Sequence, residues 1–189
     1  MADVPKKDAQ EPIVLPADLP VVALKGLVMF PKITVPLLLS DARAAAAVSA
    51  AASSDRLAVF VAAKDDDVKD PGAGDLHEIG TVCRITESVP QPDGATRLLI
   101  EGIERVRITK FVQETPYLRA KAQLLPQPHE DKSEAVEALM YSVVNQFKDA
   151  VGNGAPVPFD VLLVVMNLND PWQLADIVAL NMDFRTQEK

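Results

Sequence analysis

The chain of 189 residues has one cysteine, Cys83, two histidines, and aromatic residues at only 5% of its positions. A lone cysteine forms no intramolecular disulfide and supplies no cysteine-rich metal framework, which fits a reducing compartment. Positive charge is also scarce, with 19 lysines and arginines against 27 aspartates and glutamates, a formal net charge of −8. Such a surface repels phosphate backbones unless basic residues are locally concentrated, and no run of them occurs. Long apolar runs are missing too. Val161-Leu-Leu-Val-Val-Met166 falls far short of the roughly 20 residues needed to cross a bilayer. The polar start, residues 1–10, leads into no apolar stretch of signal-peptide length. The expectation is a soluble cytoplasmic protein with neither membrane nor nucleic acid as its partner. Because 48% of the residues are hydrophobic, the chain has enough to bury one ordinary core or two small ones, so disorder throughout is excluded.

The motifs of common catalytic chemistry are absent as well. No G-x-x-x-x-G-K-[ST] loop is present to cradle phosphates, and Gly72 and Gly74 are followed by His77 where a dinucleotide fingerprint needs its third glycine. His77 and His129 each precede a glutamate, as in H-E-x-x-H zinc sites. The second ligand position holds Thr81 in one case and Ser133 in the other, so both histidines read as solvated loop residues. The acidic cluster of Asp65, Asp66, Asp67, Asp70, Asp75 and Glu78 fails as a calcium loop. Lys69 stands at its fifth position, Asp70 replaces the required glycine and Leu76 replaces the bidentate glutamate. It reads as a solvated, mobile acidic loop. No serine lies in G-x-S-x-G, although any serine and lysine can meet in space, so a serine–lysine dyad is left open. Cys83 falls on the apolar face of an alternating segment and reads as a buried, inert thiol. No catalytic residue, metal ligand or cofactor is expected.

The patterns that are present describe a mostly-β region followed by helices. Residues 1–18 carry three prolines and no sustained period, and read as a loose leader. Leu19-Pro-Val-Val-Ala-Leu24 and Ile33-Thr-Val-Pro-Leu-Leu-Leu39 read as strands, with Pro36 placing the second at an edge. Ser40 and Asp41 stand where an N-cap belongs, before the alanine-rich residues 42–52, which predict a helix packed closely on a sheet. Residues 56–62 are apolar without alternation, as in a strand covered on both faces. From Ile79 the pattern alternates, with Ile79, Thr81, Cys83 and Ile85 on one face. Pro92-Asp93-Gly94 then predicts a hairpin turn into residues 96–100. Two further half-exposed strands follow, one around Val106 and Ile108 and one over residues 118–124. After a proline-marked break at residues 126–131, the spacing of Val136, Met140, Val143, Phe147 and Val151 predicts an amphipathic helix. A second helix is expected over residues 156–168. A third begins at Asp170-Pro171, an N-cap before a proline at the first helical position.

Several blocks resemble a known family in order and spacing. Leu19-Pro-Val-Val-Ala-Leu-Lys-Gly-Leu-Val-Met-Phe-Pro31, Ile79-Gly-Thr-Val82, Pro92-Asp-Gly94, Leu99-Ile-Glu-Gly-Ile-Glu-Arg-Val-Arg-Ile108 and Asn169-Asp-Pro-Trp-Gln-Leu-Ala-Asp176 resemble the N-terminal domain of bacterial Lon ATP-dependent proteases. The resemblance implies an α+β fold: a PUA-like mostly-β domain with one embedded helix, followed by a small all-helical subdomain. With the break near Pro126 it gives a leader at 1–18, a PUA-like domain at 19–126 and a helical subdomain, expected to be truncated, at 127–189. It also implies a non-catalytic role in capturing unfolded or damaged proteins and in assembling a hexamer, with the ATPase and protease modules lying elsewhere in a longer chain. A free-standing protein-interaction domain is the alternative.

Two apolar segments are not obviously buried by these periodicities, Met29, Phe30 and Pro31 in one turn and Val89 and Pro90 at a hairpin end: they tuck into their own core or against the helix, or they are exposed loop tips that form the capture surface. Two other readings compete. PUA-like folds elsewhere contact RNA, and Arg105, Arg107, Arg119 and Lys121 alternate onto outward strand faces. They are interleaved with Glu101, Glu104 and Glu114, and stacking aromatics are few. The third reading is purely structural, with the helices joining neighbouring subunits.

Overall fold

The computed structural model describes residues 13–92, 94–125 and 133–189. Its architecture is α+β, a six-stranded mixed sheet with four helices. β1 (Leu19–Leu24) lies parallel to β3 (Leu57–Ala62), and the chain between them forms β2 (Thr34–Leu39) and α1 (Ala42–Ala52). β4 (Ile79–Pro90) and β5 (Thr96–Gln113) form a long antiparallel hairpin, and β6 (Arg119–Leu124) pairs with both β5 and β1. The order β5-β4-β3-β1-β6 therefore returns to β5 and closes a five-stranded barrel. Closure removes free edges from those strands. β2 stands outside the ring, paired with the first part of β5, and Pro36 is thus on an edge strand as expected.

Two hydrophobic clusters sit on the two sides of this sheet. Inside the barrel, Val21, Val59, Val61, Val82, Val106 and Ala120 meet side chains from all five ring strands. On the outer side, α1 lays Ala44, Ala47, Val48 and Ala51 over Val22, Ala58, Phe60, Cys83, Ile85, Leu98 and Ile100. The small residues at i, i+3, i+4 and i+7 let the helix approach closely. Asp41 caps it by accepting from the Ala44 amide at 2.8 Å. β3 sends alternate side chains into each cluster, which is why its sequence shows no alternation.

Before the helices, the structure departs from the sequence reading in four places. Of the leader, the described residues 13–18 are not loose: Ile13 and Leu15 pack against the barrel cluster, and Asp18 accepts from Arg119 Nε at 2.8 Å. β4 is covered on both faces over Gly80–Cys83, with Val82 turned into the barrel and Cys83 under α1. Ile79, expected on the apolar face, is exposed. Finally, β5 is one strand of 18 residues rather than two. It passes through Gly102, where a Cβ would strike the Phe30 carbonyl, so the crossing chain selects glycine there. The hairpin turn forms where expected, with Gly94 at φ +87° and the Gln91 amide donating to Ala95 O at 2.8 Å. Asp93 and the break at residues 126–131, with His129, lie outside the described residues.

The helices follow as α2 (Glu134–Gly152), α3 (Phe159–Asn167) and α4 (Pro171–Asn181). Asp170 caps α4 by accepting from the amides of Trp172 at 2.9 Å and Gln173 at 3.3 Å. α3 starts later than expected, because Pro156 and Pro158 hold the preceding residues extended. Phe147, Val165 and Leu174 are the buried centre of this group.

Candidate functional site

The turn containing Met29, Phe30 and Pro31 is not an exposed tip. All three residues are buried, Phe30 to 5% exposure. Met29 O accepts from Thr81 Oγ1 at 2.6 Å, and the Lys32 amide donates to Gly102 O at 2.8 Å. The Arg105 guanidinium lies over the Phe30 ring, 5.9 Å from its centroid. The partners that pin the turn lie 50 to 75 residues further along the chain, so no local pattern announces them.

Arg105 also marks where the helices meet the barrel. It pairs with Asp176 of α4, whose side chain is almost wholly buried, and Lys32 Nζ lies 3.4 Å from Asp170 at the start of the same helix. Burial raises the pKa of Asp176 above the usual carboxylate value, more than the Arg105 charge lowers it. Burial pushes Asp170 the same way. There the amides of Gln173 and Trp172, with Lys32, outweigh it and leave that carboxyl lowered. The joint between barrel and helices is therefore polar, with Phe30 at its foot.

Val89 and Pro90, by contrast, are exposed at the end of the β4–β5 hairpin, Val89 at 49%. The ladder registers place Val89 opposite Arg97, and Arg97 opposite Leu38 of β2. Directly opposed residues share a sheet face, so Leu38, Arg97 and Val89 form a row across three strands. The next row on that face is Pro36, Leu99 and Glu87. Leu38 is 65% exposed. The sequence reading missed Leu38 because a run of three leucines looks like core. Pro36 carried the signal, since an edge strand with one covered face must turn alternate residues to solvent.

Of the other sequence candidates, His77 is not the solvated residue expected, since its Nε2 is buried without a hydrogen-bond partner. Cys83 is fully buried, and that burial raises its thiol pKa far above the ordinary value. In the acidic loop, Asp66 accepts from the Gly26 amide at 2.7 Å, Asp70 pairs with Arg43 at 2.7 Å, and Asp75 accepts from the Gly72 amide at 2.9 Å. The loop is exposed, as expected, and these contacts tie it to its surroundings. Among the described residues, no three or more His, Cys, Asp or Glu side chains gather as a metal site. Two of the four basic residues on the outward strand faces are engaged, Arg105 with Asp176 and Arg119 with Asp18. No helix among the described residues is long and apolar enough to cross a membrane.

Comparison with known proteins agrees with this architecture. Residues 18–189 match the family of the ATP-dependent protease La (LON) substrate-binding domain. The Lon protease of Desulfovibrio desulfuricans is 33% identical over 175 residues, 92% of this chain and 20% of that protein. The Lon protease of Escherichia coli is 30% identical over 172 residues, 91% of this chain and 22% of its own length. The chain thus spans about a fifth of the length of the curated relatives it matches. Among solved structures, the N-terminal domain of the Mycobacterium avium complex Lon protease superimposes with a TM-score of 0.70 at 19% identity, covering 90% of this chain and 86% of that one. A Lon N-terminal domain protein from Xanthomonas campestris gives 0.53 at 16% identity, covering 86% and 96%. With its fold shared by these structures and its sequence matched from residue 18 to the last, the chain belongs to the LON substrate-binding domain family.

Proposed function

We propose that this chain is the non-catalytic substrate-recognition and assembly module of an ATP-dependent protease, and that it captures unfolded or damaged proteins. The observation that carries the reading is the exposed apolar row at the hairpin end, where Leu38 and Val89 flank Arg97 with Pro36 and Leu99 beside them. Apolar side chains displayed on a rigid sheet bind other apolar segments without demanding one sequence. Such contacts are individually weak, and several copies on one ring raise the effective concentration for a substrate long enough to span them. In this reading Val89 and Pro90 keep their contact role and Leu38 joins them, while Met29, Phe30 and Pro31 hold the joint to the helices.

A second component, assembly, rests on the helices. Leu139, Tyr141, Phe159, Val164 and Met166 are exposed there, so the group presents several large apolar side chains to solvent. Neighbouring subunits are the partners this reading assigns to it. Sedimentation of the full chain should show concentration-dependent association that weakens on Leu139→Asp, and a monomer at all concentrations would remove this component.

The recognition reading is tested by fluorescence anisotropy with a labelled, permanently unfolded protein and its native form. Binding should be confined to the unfolded form and should weaken about tenfold in the Leu38→Asp, Val89→Asp double variant, as expected when contact residues are replaced by charge. Equal affinity for native and unfolded protein would contradict it.

A further inference from the structure

The backbone of β2 carries information that its side chains do not. Ile33 O accepts from the Gly102 amide at 2.9 Å, in the same register as the pairs Thr34 with Glu101 and Val35 with Ile100. Antiparallel ladders alternate residues that exchange both hydrogen bonds with residues that exchange none. Val35, Leu37 and Leu39 therefore turn their amides and carbonyls toward β5, and Thr34, Pro36 and Leu38 turn theirs to the opposite side. Among the described residues, β2 has no ladder on that side. The open edge offers donors from Thr34 and Leu38 and acceptors from Thr34, Pro36 and Leu38.

A cavity of about 470 Å³ adjoins this edge, lined both by Leu27, Leu37 and Leu39 and by the charged Arg43, Lys69 and Asp70. We propose that the open edge of β2 receives an extended apolar segment of an unfolded polypeptide as an added strand, whose alternate side chains enter this cavity. The proposal rests on the recognition reading above and specifies how the substrate is held. A row of strand-edge amides and carbonyls is matched by another extended backbone whatever its sequence, while the leucines of the pocket beside it give apolar side chains a contact surface. Folded proteins keep their extended backbones paired, so the site distinguishes unfolded chains by what they leave unpaired.

Pro36 decides between this occupant and a second copy of β2. It removes one donor from the middle of the open edge, a device that discourages indiscriminate pairing. Any antiparallel pairing of two β2 edges through their centres loses two donors, one from each copy. A substrate strand loses one.

The test is amide hydrogen exchange on the full chain, followed by NMR, with and without reduced, carboxymethylated α-lactalbumin as the permanently unfolded probe. Exchange at Thr34 and Leu38 should slow in its presence, while Val35, Leu37 and Leu39, already bonded to β5, should not change. Thr34→Pro removes an open-edge donor without touching the β5 ladder and should weaken probe binding about fivefold, and Pro36→Thr restores a donor and should strengthen it by a similar factor. Probe binding with unchanged exchange at Thr34 and Leu38, and equal affinity in both variants, would overturn strand addition and leave the recognition reading standing. Absence of any probe binding would overturn both. Dimerisation of Pro36→Thr with no gain in probe affinity would assign the edge to a second copy and overturn the proposed occupant.

Discussion

The barrel and the helices solve the burial problem to very different extents. The barrel with α1 and β2 has two clusters of thirteen and twelve buried residues, whereas the three helices together bury Phe147, Val165 and Leu174. Most of the large exposed hydrophobic residues lie in the helical part, Tyr141 at 72% among them. A closed ring satisfies its own backbone and core. Three short helices with a small core leave apolar faces that other surfaces must cover. The joint between the two parts is built from ion pairs, Arg105 with Asp176 and Lys32 with Asp170. The barrel is thus the well-buried scaffold, and the helices carry most of the large exposed apolar side chains.

The largest effect that would sharpen this comparison is a cavity in the scaffold. Phe60→Ala should cost about 4 kcal/mol in urea unfolding and lower the stability of every probe together, because Phe60 is fully buried under α1. Phe147→Ala should act on the helices alone, lowering the fluorescence midpoint of Trp172 on α4 while the barrel amides keep their exchange protection. A common loss by all probes would break the distinction, and with it a domain boundary near residue 126.

Phe30→Ser comes next. As an exposed tip it would affect binding only. With Phe30 buried against Gly102 and under Arg105, the expected result is a loss of about 3 kcal/mol. Unchanged stability would return the turn to the surface.

The joint should give a smaller change. Arg105→Ala strands the buried Asp176 carboxylate and should cost about 2 kcal/mol, less than a fully buried pair because Arg105 is partly exposed. Asp176 has a raised pKa in the folded state, so between its unfolded and folded values the native protein holds the extra proton. Its contribution to stability is therefore most unfavourable above the folded value and vanishes below the unfolded one. Asp176→Asn should equal or exceed the parent in stability at pH 7 and should gain less on acidification. A steeper gain than the parent would contradict the burial argument.

The smallest expected changes are at the exposed residues. Val89→Asp and Leu139→Ser should each leave stability within about 0.5 kcal/mol, while Val89→Asp alone weakens binding of unfolded protein.

What the sequence made legible was local. The α1 helix was readable from Asp41 and the alanines after it, α4 from Asp170 and Pro171, and the hairpin from Gly94, because caps and turns act within a few residues. The exposed end at Val89 and Pro90 followed from that turn. What stayed hidden depended on distant partners. The continuity of β5 between residues 100 and 106 was not legible, because Gly102 is accounted for only once the Phe30 carbonyl is placed against it. The burial of Met29, Phe30 and Pro31 required Thr81, Gly102 and Arg105, and the exposure of Leu38 was signalled only by Pro36. The resemblance carried the overall fold because ordered blocks encode those distant pairings collectively. It did not say which apolar residues reach the surface.

The most direct test of the recognition claim is residue-resolved chemical-shift mapping of the full chain with an unfolded protein and with the same protein folded. Shifts concentrated at Leu38, Val89, Pro90, Arg97 and Leu99, seen with the unfolded partner alone, are the predicted result. Shifts confined to the helices, or identical with both forms, would contradict it.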